Sequence, residues 1–309
     1  MKQPLFSCVI PVKGDRPYFD ATIESLRIQG LGDELEVIIQ DGTTKRDEVE
    51  GAERSESRRD APSSREYTEY TENDLRGVRW YREEDCGQSD ALNKGFAKAR
   101  GEWLFWLNAD DVLLPGALGK VRDFISRVEG GGVDSRKERK ERKDDSRVDC
   151  VDWIAGDTVY IDEHGKVIEV RTDAKWRSWF GNKLSVWTGG PSAFFRRELW
   201  EKRGGFDTRL KYAMDVDLWT RWAKAGERFV GLGDYVWGFR MHEESKTGSG
   251  RFAAEQAKEL AAIDARYGVA TMGFWRDLTR MASLLDGTWA KRRRDSGCLQ
   301  GKLFNEILA

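Results

Sequence analysis

Short apolar segments alternate with amphipathic segments along residues 1–128, and this alternation restricts the fold more than any other feature of the chain. The apolar segments have the length of strands and end at glycine, proline or charged residues. Buried strands that alternate with helices predict a Rossmann-like α/β fold, with a parallel sheet covered by helices on both faces. The predicted strands are 6–12, 35–42, 78–83 and 102–108, and the predicted helices are 17–30, 89–101 and 115–128.

The rest of the chain does not show this regular alternation of strands and helices. A hairpin is predicted around 150–170 with its turn at 163–165, followed by an apolar strand leading into a helix near residue 195. An amphipathic helix is predicted at 215–225, a pair of strands between 228 and 242, and a helical tail after 250. We therefore expect a main domain at 1–248, with halves at 1–128 and 150–248, and a helical extension at 249–309.

Composition and charge exclude several classes of protein. The net charge of -2 provides no positive field for nucleic acid. The longest uncharged stretch, 184–195, is 12 residues, whereas a membrane-spanning helix needs about 20 apolar residues. The cysteines form no Cys-x-x-Cys pair, which favours a reducing, cytoplasmic location, and the two histidines are too few for a multi-histidine metal site.

Two segments interrupt the pattern with dense charge. Residues 43–76 hold 17 charged residues out of 34, and residues 134–149 hold 13 out of 16, seven basic and six acidic. Because such segments cannot bury enough apolar surface to offset their ordering entropy, solvated loops or frayed helices are predicted. A basic docking patch at 134–149 is the alternative, which the balance of signs disfavours.

Carboxylates follow three of the predicted strands. Asp41 follows the second, Asp85 the third, and the adjacent Asp110 and Asp111 the fourth, directly after the buried run "WLFWL". Open parallel sheets bind ligands at the carboxyl ends of their strands, so these groups should share one rim. Hard oxygen ligands there suit Mg²⁺ or Mn²⁺ with substrate phosphates. Helix capping near Pro115 is the alternative for Asp110 and Asp111.

Three separated motifs carry a resemblance to a known family. They are "EDCGQSDALNKGFAKARGEWLFWLNADD" at 84–111, "GGPSAFFRRELWEKRGGFDTRLKYAMDVDLWTRWAKAG" at 189–226 and "FRMHEESKT" at 239–247. In this order and spacing they resemble the inverting family 2 glycosyltransferases of the GT-A fold. The resemblance implies a nucleotide-diphospho-sugar donor with UDP favoured, a divalent metal (Mn²⁺ or Mg²⁺), inversion, and a glycan or lipid-linked acceptor.

The resemblance also assigns donor-side roles. Asp41 would contact the nucleotide base or ribose, and Asp85 would hold the base edge. Asp90 and Lys94 would lie near the nucleotide, although an i,i+4 ion pair on a solvated helix face explains them equally well.

The resemblance places the metal at the end of the first motif. Asn108-Ala109-Asp110 stands where the family has its Asp-x-Asp motif, with a neutral amide in place of the first carboxylate. Asp110 would approach the ribose or the metal, and Asp111 the metal. His242 would reach the metal or the diphosphate, unless it is only a packed or surface residue.

On the acceptor side, Asp215 is predicted as the general base that deprotonates the acceptor hydroxyl. Asp217, two residues further on, is its competitor, with a favourable position in the first turn of a helix as the alternative explanation. Trp187 is a candidate for stacking on a sugar, with core packing as the alternative, whereas Trp103, Trp106 and Trp222 are expected in the core.

Two other functions remain open from the sequence. A sugar-phosphate nucleotidyltransferase would share the core, although "VKGDRPYFD" is a poor version of the glycine-rich loop that such enzymes carry. A non-catalytic nucleotide-sugar-binding protein is the second. The basic tail around 291–294, with Trp275 and Trp289 nearby, either contacts a membrane surface peripherally or packs on the domain.

Overall fold

The computed structural model describes residues 3–14, 16–44, 78–129, 151–172, 190–243, 245, 251–268 and 287–307. The charged segments 45–76 and 134–149, as well as Trp187 and Trp275, lie outside these ranges. The described part contains nine strands in one sheet and seven α-helices.

The first half builds one side of the sheet. Strands β1, β2, β3 and β4 pair in parallel in the spatial order β3-β2-β1-β4, so the predicted parallel sheet is confirmed. Helix α1 and helix α3 pack on one face and helix α2 on the other. The elements are β1 (Phe6–Val12), α1 (Phe19–Arg27), β2 (Leu35–Asp41), β3 (Val78–Arg82), α2 (Gln88–Ala97), β4 (Trp103–Trp106), β5 (Val112–Leu113) and α3 (Ala117–Glu129).

Beyond β4 the sheet continues in the order β8-β6-β9-β5, with β7 paired to β6; of these strands only β5 comes from the first half of the chain. Six described strands run in one direction, and β5, β7 and β8 run against them. The predicted hairpin is β6 and β7. The elements are β6 (Trp153–Ile161), β7 (Val167–Arg171), β8 (Ala193–Arg196), α4 (Arg197–Arg203), α5 (Met214–Lys224), β9 (Phe229–Arg240), α6 (Ala253–Tyr267) and α7 (Thr288–Leu299).

Strand β9 corrects the prediction of two separate strands between 228 and 242. It is one strand of 12 residues that stays paired with β6 through register shifts beside Asp157. Gly233 has φ +76°, a conformation that glycine adopts without strain. The irregularity is therefore absorbed as bulges within the ladder, where the sequence pattern indicated a break.

Aromatic side chains from the second half fill the core beneath β4. Trp103, Trp106 and Trp222 are at most 1% exposed, which confirms their predicted place in the core. Trp219 on α5 stacks on Trp153 with ring centres 4.9 Å apart and on Trp106 at 5.8 Å. Because side chains of a strand alternate between its faces, "WLFW" supplies both layers of the core at once.

The described helices after residue 250 pack on earlier elements of the chain. Helix α6 lies against α5 and helix α7 against β7. Lys291 on α7 reaches the buried Asp157 with Nζ 2.8 Å from Oδ2, and Arg292 pairs with Glu169. Among the described helices, none combines the length and apolarity that crossing a bilayer requires.

Candidate active site

A cavity of about 490 Å³ opens at the carboxyl ends of the parallel strands. Its walls come from the ends of β1 and β4, from β6 and β9, and from the start of α5. Of the residues predicted for function, Asp85, Asp110, Asp215 and His242 lie on its walls. The other chemically notable wall residues are Lys13, Arg16, Gln88, Asn108, Arg171, Lys211, Tyr212 and Gln256.

Asp41 and Asp85 lie together at the ends of β2 and β3. Asp41 is 3% exposed, its Oδ1 accepts the Thr43 N–H at 2.8 Å, and Arg82 Nε lies 3.6 Å from its Oδ2. Asp85 accepts the Gly87 N–H at 2.9 Å and faces the cavity. A Cβ on Gly42 would come within 1.8 Å of Asp85 Oδ2, so only glycine allows this close approach.

Asp90 and Lys94 form the ion pair that was the alternative to a nucleotide contact. Lys94 Nζ lies 2.9 Å from Asp90 Oδ2 and 2.5 Å from the Glu84 carbonyl oxygen. Asp90 also accepts the Cys86 N–H at 3.0 Å, and this bond together with Lys94 lowers the pKa of Asp90. The pair therefore ties the loop before α2 to that helix, outside the cavity walls, and a nucleotide contact stays a prediction.

The adjacent carboxylates Asp110 and Asp111 have different surroundings. Asp111 is fully buried, where its Oδ1 accepts the Arg240 N–H at 2.9 Å and its Oδ2 accepts the Asn108 side-chain amide at 2.7 Å. Burial, with the charge of Asp110, raises the pKa of Asp111. Asp110 faces the cavity instead. Their bonds run to β9 and neighbouring loops, while α3 begins only at Ala117, so neither serves as its cap.

His242 meets Asp110 on the cavity wall. Its Nε2 lies 3.0 Å from Asp110 Oδ2, and its ring packs against Tyr18 with centres 5.2 Å apart. The carboxylate oxygen of Asp110 is a ligand that suits Mn²⁺ or Mg²⁺, whereas the imidazole nitrogen of His242 is typical of transition-metal ions and does not suit Mg²⁺. The described residues form no group of three or more potential protein ligands, so a bound ion would complete its shell with water and substrate oxygens.

Arg240 and Tyr18 support this wall and were not foreseen from the sequence. Arg240 is 3% exposed, donates from Nε to the Asp110 carbonyl oxygen at 2.9 Å, and lies 4.7 Å above the Tyr18 ring. Its Nη1 donates to two further carbonyl oxygens at 3.0 and 3.1 Å. The signal that could have found Arg240 is its place in "FRMH", two residues before His242.

Asp215 and Asp217 leave the same helix in different directions. Asp215, in the first turn of α5, is partly buried on the cavity wall, and burial raises its pKa from 3.8 to about 6. Asp217 is 1% exposed and accepts bonds from Arg266 Nη1 at 2.9 Å and the Tyr267 hydroxyl at 3.0 Å. Of the two carboxylates, Asp215 alone is in the cavity wall.

The sheet is mostly parallel, and a cavity lies at the carboxyl ends of its strands. Asp215, from the second half of the chain, is on the cavity wall. This arrangement is that of the GT-A glycosyltransferase fold. Solved structures agree on this fold. The TarS 1–349 structure of S. aureus with UDP-GlcNAc matches with a TM-score of 0.55 and 17% identity, over 84% of this chain and 65% of that one. The Pyrobaculum calidifontis mannosyltransferase PcManGT, with GDP-Man and Mn²⁺, matches with a TM-score of 0.54 and 19% identity, over 86% and 64%.

Sequence relatives place the chain within a family. The sequence model of the family "Glycosyl transferase family 2" matches residues 7–149 of this chain. The PGL/p-HBAD biosynthesis glycosyltransferase of Mycobacterium tuberculosis (strain ATCC 25618 / H37Rv) is 30% identical over 222 residues, 71% of this chain and 69% of that protein. This chain belongs to glycosyltransferase family 2 and is a transferase. It spans just under two thirds of the length of the solved TarS and PcManGT chains.

Proposed function

We propose that the protein transfers a sugar from a nucleotide-diphospho-sugar, with UDP as the favoured nucleotide, to a hydroxyl of a glycan or lipid-linked acceptor. One observation carries this proposal: Asp85, the Asp110–His242 pair and Asp215 line a single cavity. The cavity thus holds groups suited to a nucleotide, to a metal-bound diphosphate and to an acceptor hydroxyl. The two solved neighbours are complexes with UDP-GlcNAc and with GDP-Man, so the base is the part of the donor to test first.

The donor side is proposed as follows. Asp85 receives the base edge, while Asp41, held by Arg82 and Thr43, supports the rim behind it. Asp110 and His242 would hold a divalent ion, which would supply positive charge opposite the diphosphate. Asp111 is buried and bonded twice, so of the three residues predicted for the metal we keep Asp110 and His242 in this proposal and give Asp111 the support of the loop. Lys13 and Arg16 on the same wall add positive charge suited to the diphosphate.

The acceptor side is proposed to work through Asp215. The Asp215 carboxylate takes the proton of the acceptor hydroxyl. At the same time the hydroxyl oxygen bonds to the anomeric carbon, and the bond between that carbon and the diphosphate oxygen breaks. A single displacement of this kind inverts the anomeric centre. With a pKa of about 6, Asp215 is mostly deprotonated at neutral pH yet more basic than an ordinary aspartate.

Calorimetric titration of UDP-sugars and GDP-sugars, each with and without Mn²⁺, tests the donor. We expect one UDP-sugar to bind more tightly with Mn²⁺ and its slow hydrolysis to UDP to stop in excess chelator and return when Mn²⁺ is restored. Tightest binding of a GDP-sugar would overturn the nucleotide assignment alone. Undiminished turnover in chelator would overturn the metal assignment.

A further inference from the structure

Helix α6 contributes Gln256 to the cavity wall and also contacts the segment that leads into α5. The carboxylate of Glu259 accepts three consecutive backbone N–H groups, from Lys211, Tyr212 and Ala213, each at 2.9 Å. A carboxylate that accepts several backbone N–H bonds holds the chain in one conformation, because both of its oxygens are directed at fixed donors. Glu259 therefore acts as a clamp on residues 211–213.

The clamp lies directly before the predicted base. Helix α5 begins at Met214, and its N-cap residue, Ala213, makes no side-chain capping bond. Asp215 is in the first turn, and Lys211, Tyr212 and Asp215 all line the cavity. The conformation of 211–213 therefore sets where the first turn starts and where the Asp215 carboxylate points.

The same face of α6 makes two further contacts with this region. Arg266 and Tyr267 bond to the buried Asp217 of α5, two residues after the proposed base in the same first turn. Near the other end of α6, Phe252 stacks on Tyr212 with ring centres 5.1 Å apart. Ile263, between these contacts, is fully buried in the core. The helix thus holds the acceptor side of the cavity at three points along its length.

We propose that Glu259 is a positioning residue for glycosyl transfer, which holds the segment 211–213 so that Asp215 meets the attacking hydroxyl. This inference rests on the proposed function, because it acts through Asp215. A displacement of about 1 Å in a reacting group can lower a rate by about 100-fold, so loss of the clamp should reduce turnover well before it unfolds the domain.

The test uses Glu259→Ala and Glu259→Gln in the full chain, with Glu255→Gln, at an exposed position one turn earlier on α6, as the matched control. The substrate is the tightest-binding nucleotide sugar of the calorimetric panel, hydrolysed by water. We expect kcat to fall by about 10- to 100-fold in Glu259→Ala with KM for the donor within about twofold. Glu259→Gln, which keeps one acceptor oxygen, should lie between Glu259→Ala and the wild type, and Glu255→Gln should match the wild type.

A combination with Asp215→Asn separates this inference from the proposed function. If Glu259 acts through Asp215, adding Glu259→Ala to Asp215→Asn lowers kcat no further, because the group being positioned is already inactive. A full additional loss in the double variant, or wild-type kcat in Glu259→Ala, overturns the role of Glu259 while the base assignment stands. Wild-type kcat in Asp215→Asn overturns the base assignment itself, and the inference with it.

Discussion

At two places in the chain, two aspartates that are close in sequence have different environments. Asp110 faces the cavity while Asp111 is buried under Arg240, and Asp215 faces the cavity while Asp217 is bonded to α6. In each pair the carboxylate of the buried aspartate accepts bonds from nearby donors, whereas the carboxylate of the other aspartate lines the cavity, where a substrate could reach it. The predictions at the residue scale follow from this division.

Asp215→Asn should lower turnover by about 100- to 10,000-fold with little change in donor affinity, because the amide keeps the shape of the side chain and loses its basicity. Single-turnover rates and calorimetric donor titrations provide the measurement. Exposed Asp33→Asn is the control, with wild-type behaviour expected. Loss of donor binding in Asp215→Asn would contradict a role confined to the acceptor step.

The pH profile and the stability should both follow the pKa of Asp215. Turnover should fall as pH decreases through about 6, since the base becomes protonated, and this limb should vanish in Asp215→Asn. The folded-state pKa is raised, so the proton stabilises the fold at low pH and that contribution is lost as pH rises through about 6. Asp215→Asn should therefore be more stable than the wild type at pH 7.5, by on the order of 1 kcal/mol, as measured by chemical denaturation.

Asp110→Asn and Asp111→Asn should separate metal binding from folding. Asp110→Asn should weaken Mn²⁺-dependent donor binding by at least about tenfold at nearly unchanged stability, because it alters a ligand on the cavity wall. Asp111→Asn should instead cost about 1–3 kcal/mol of unfolding free energy, since its amide would meet the Arg240 N–H or the Asn108 amide with a donor. Calorimetry with Mn²⁺ and urea denaturation compare the two. The reverse pattern would return the metal to Asp111.

At the scale of elements, helix α6 is a structural part of the acceptor side. Its bonds to α5 converge on Asp217, a buried carboxylate with donors from Arg266 and Tyr267. This contact connects a helix late in the chain to the helix that carries Asp215, the proposed base.

Asp217→Asn should destabilise the protein by about 1–3 kcal/mol, because the neutral amide loses the ion pairs that the buried carboxylate makes with Arg266 and Arg221. Turnover should stay within about tenfold of the wild type, since Asp217 does not line the cavity. Urea denaturation and hydrolysis rates at a temperature where the variant is folded provide the check. If Asp217→Asn abolished turnover while Asp215→Asn kept most of it, the base would be the other carboxylate.

At the scale of the whole molecule, the basic tail is joined to the sheet. Lys291 bonds to Asp157 and to the Gly233 carbonyl oxygen beside the irregular part of β9, with Nζ 4.3 Å from the centre of the Tyr235 ring. Arg292 pairs with Glu169 on β7, whereas Arg294 pairs with its neighbour Asp295 within α7 itself. These contacts favour packing of the tail on the domain, and peripheral membrane contact stays a prediction.

Lys291→Met should lower the free energy of unfolding by about 3 kcal/mol, because Asp157 is 3% exposed and would lose its cationic partner. Arg294→Ala should change it by less than about 0.5 kcal/mol, since Arg294 is 72% exposed in its pair. Guanidinium denaturation of both variants makes the comparison. Equal, small effects would show that α7 contributes little to the domain.

The sequence by itself determined the alternation of strands and helices and the burial of "WLFW". It also determined that Asp41, Asp85 and Asp110 lie at the carboxyl ends of the parallel strands. Those features are periodic or local, and the family motifs added Asp110, Asp215 and His242, which the structure places in one cavity. Only the tertiary structure decided which carboxylate of each pair faces that cavity, that β9 is one strand, and that Glu259 holds 211–213. Each of these depends on contacts between residues far apart in the chain, whose partners are chosen by packing and hydrogen-bond geometry and leave no periodic signal in the sequence.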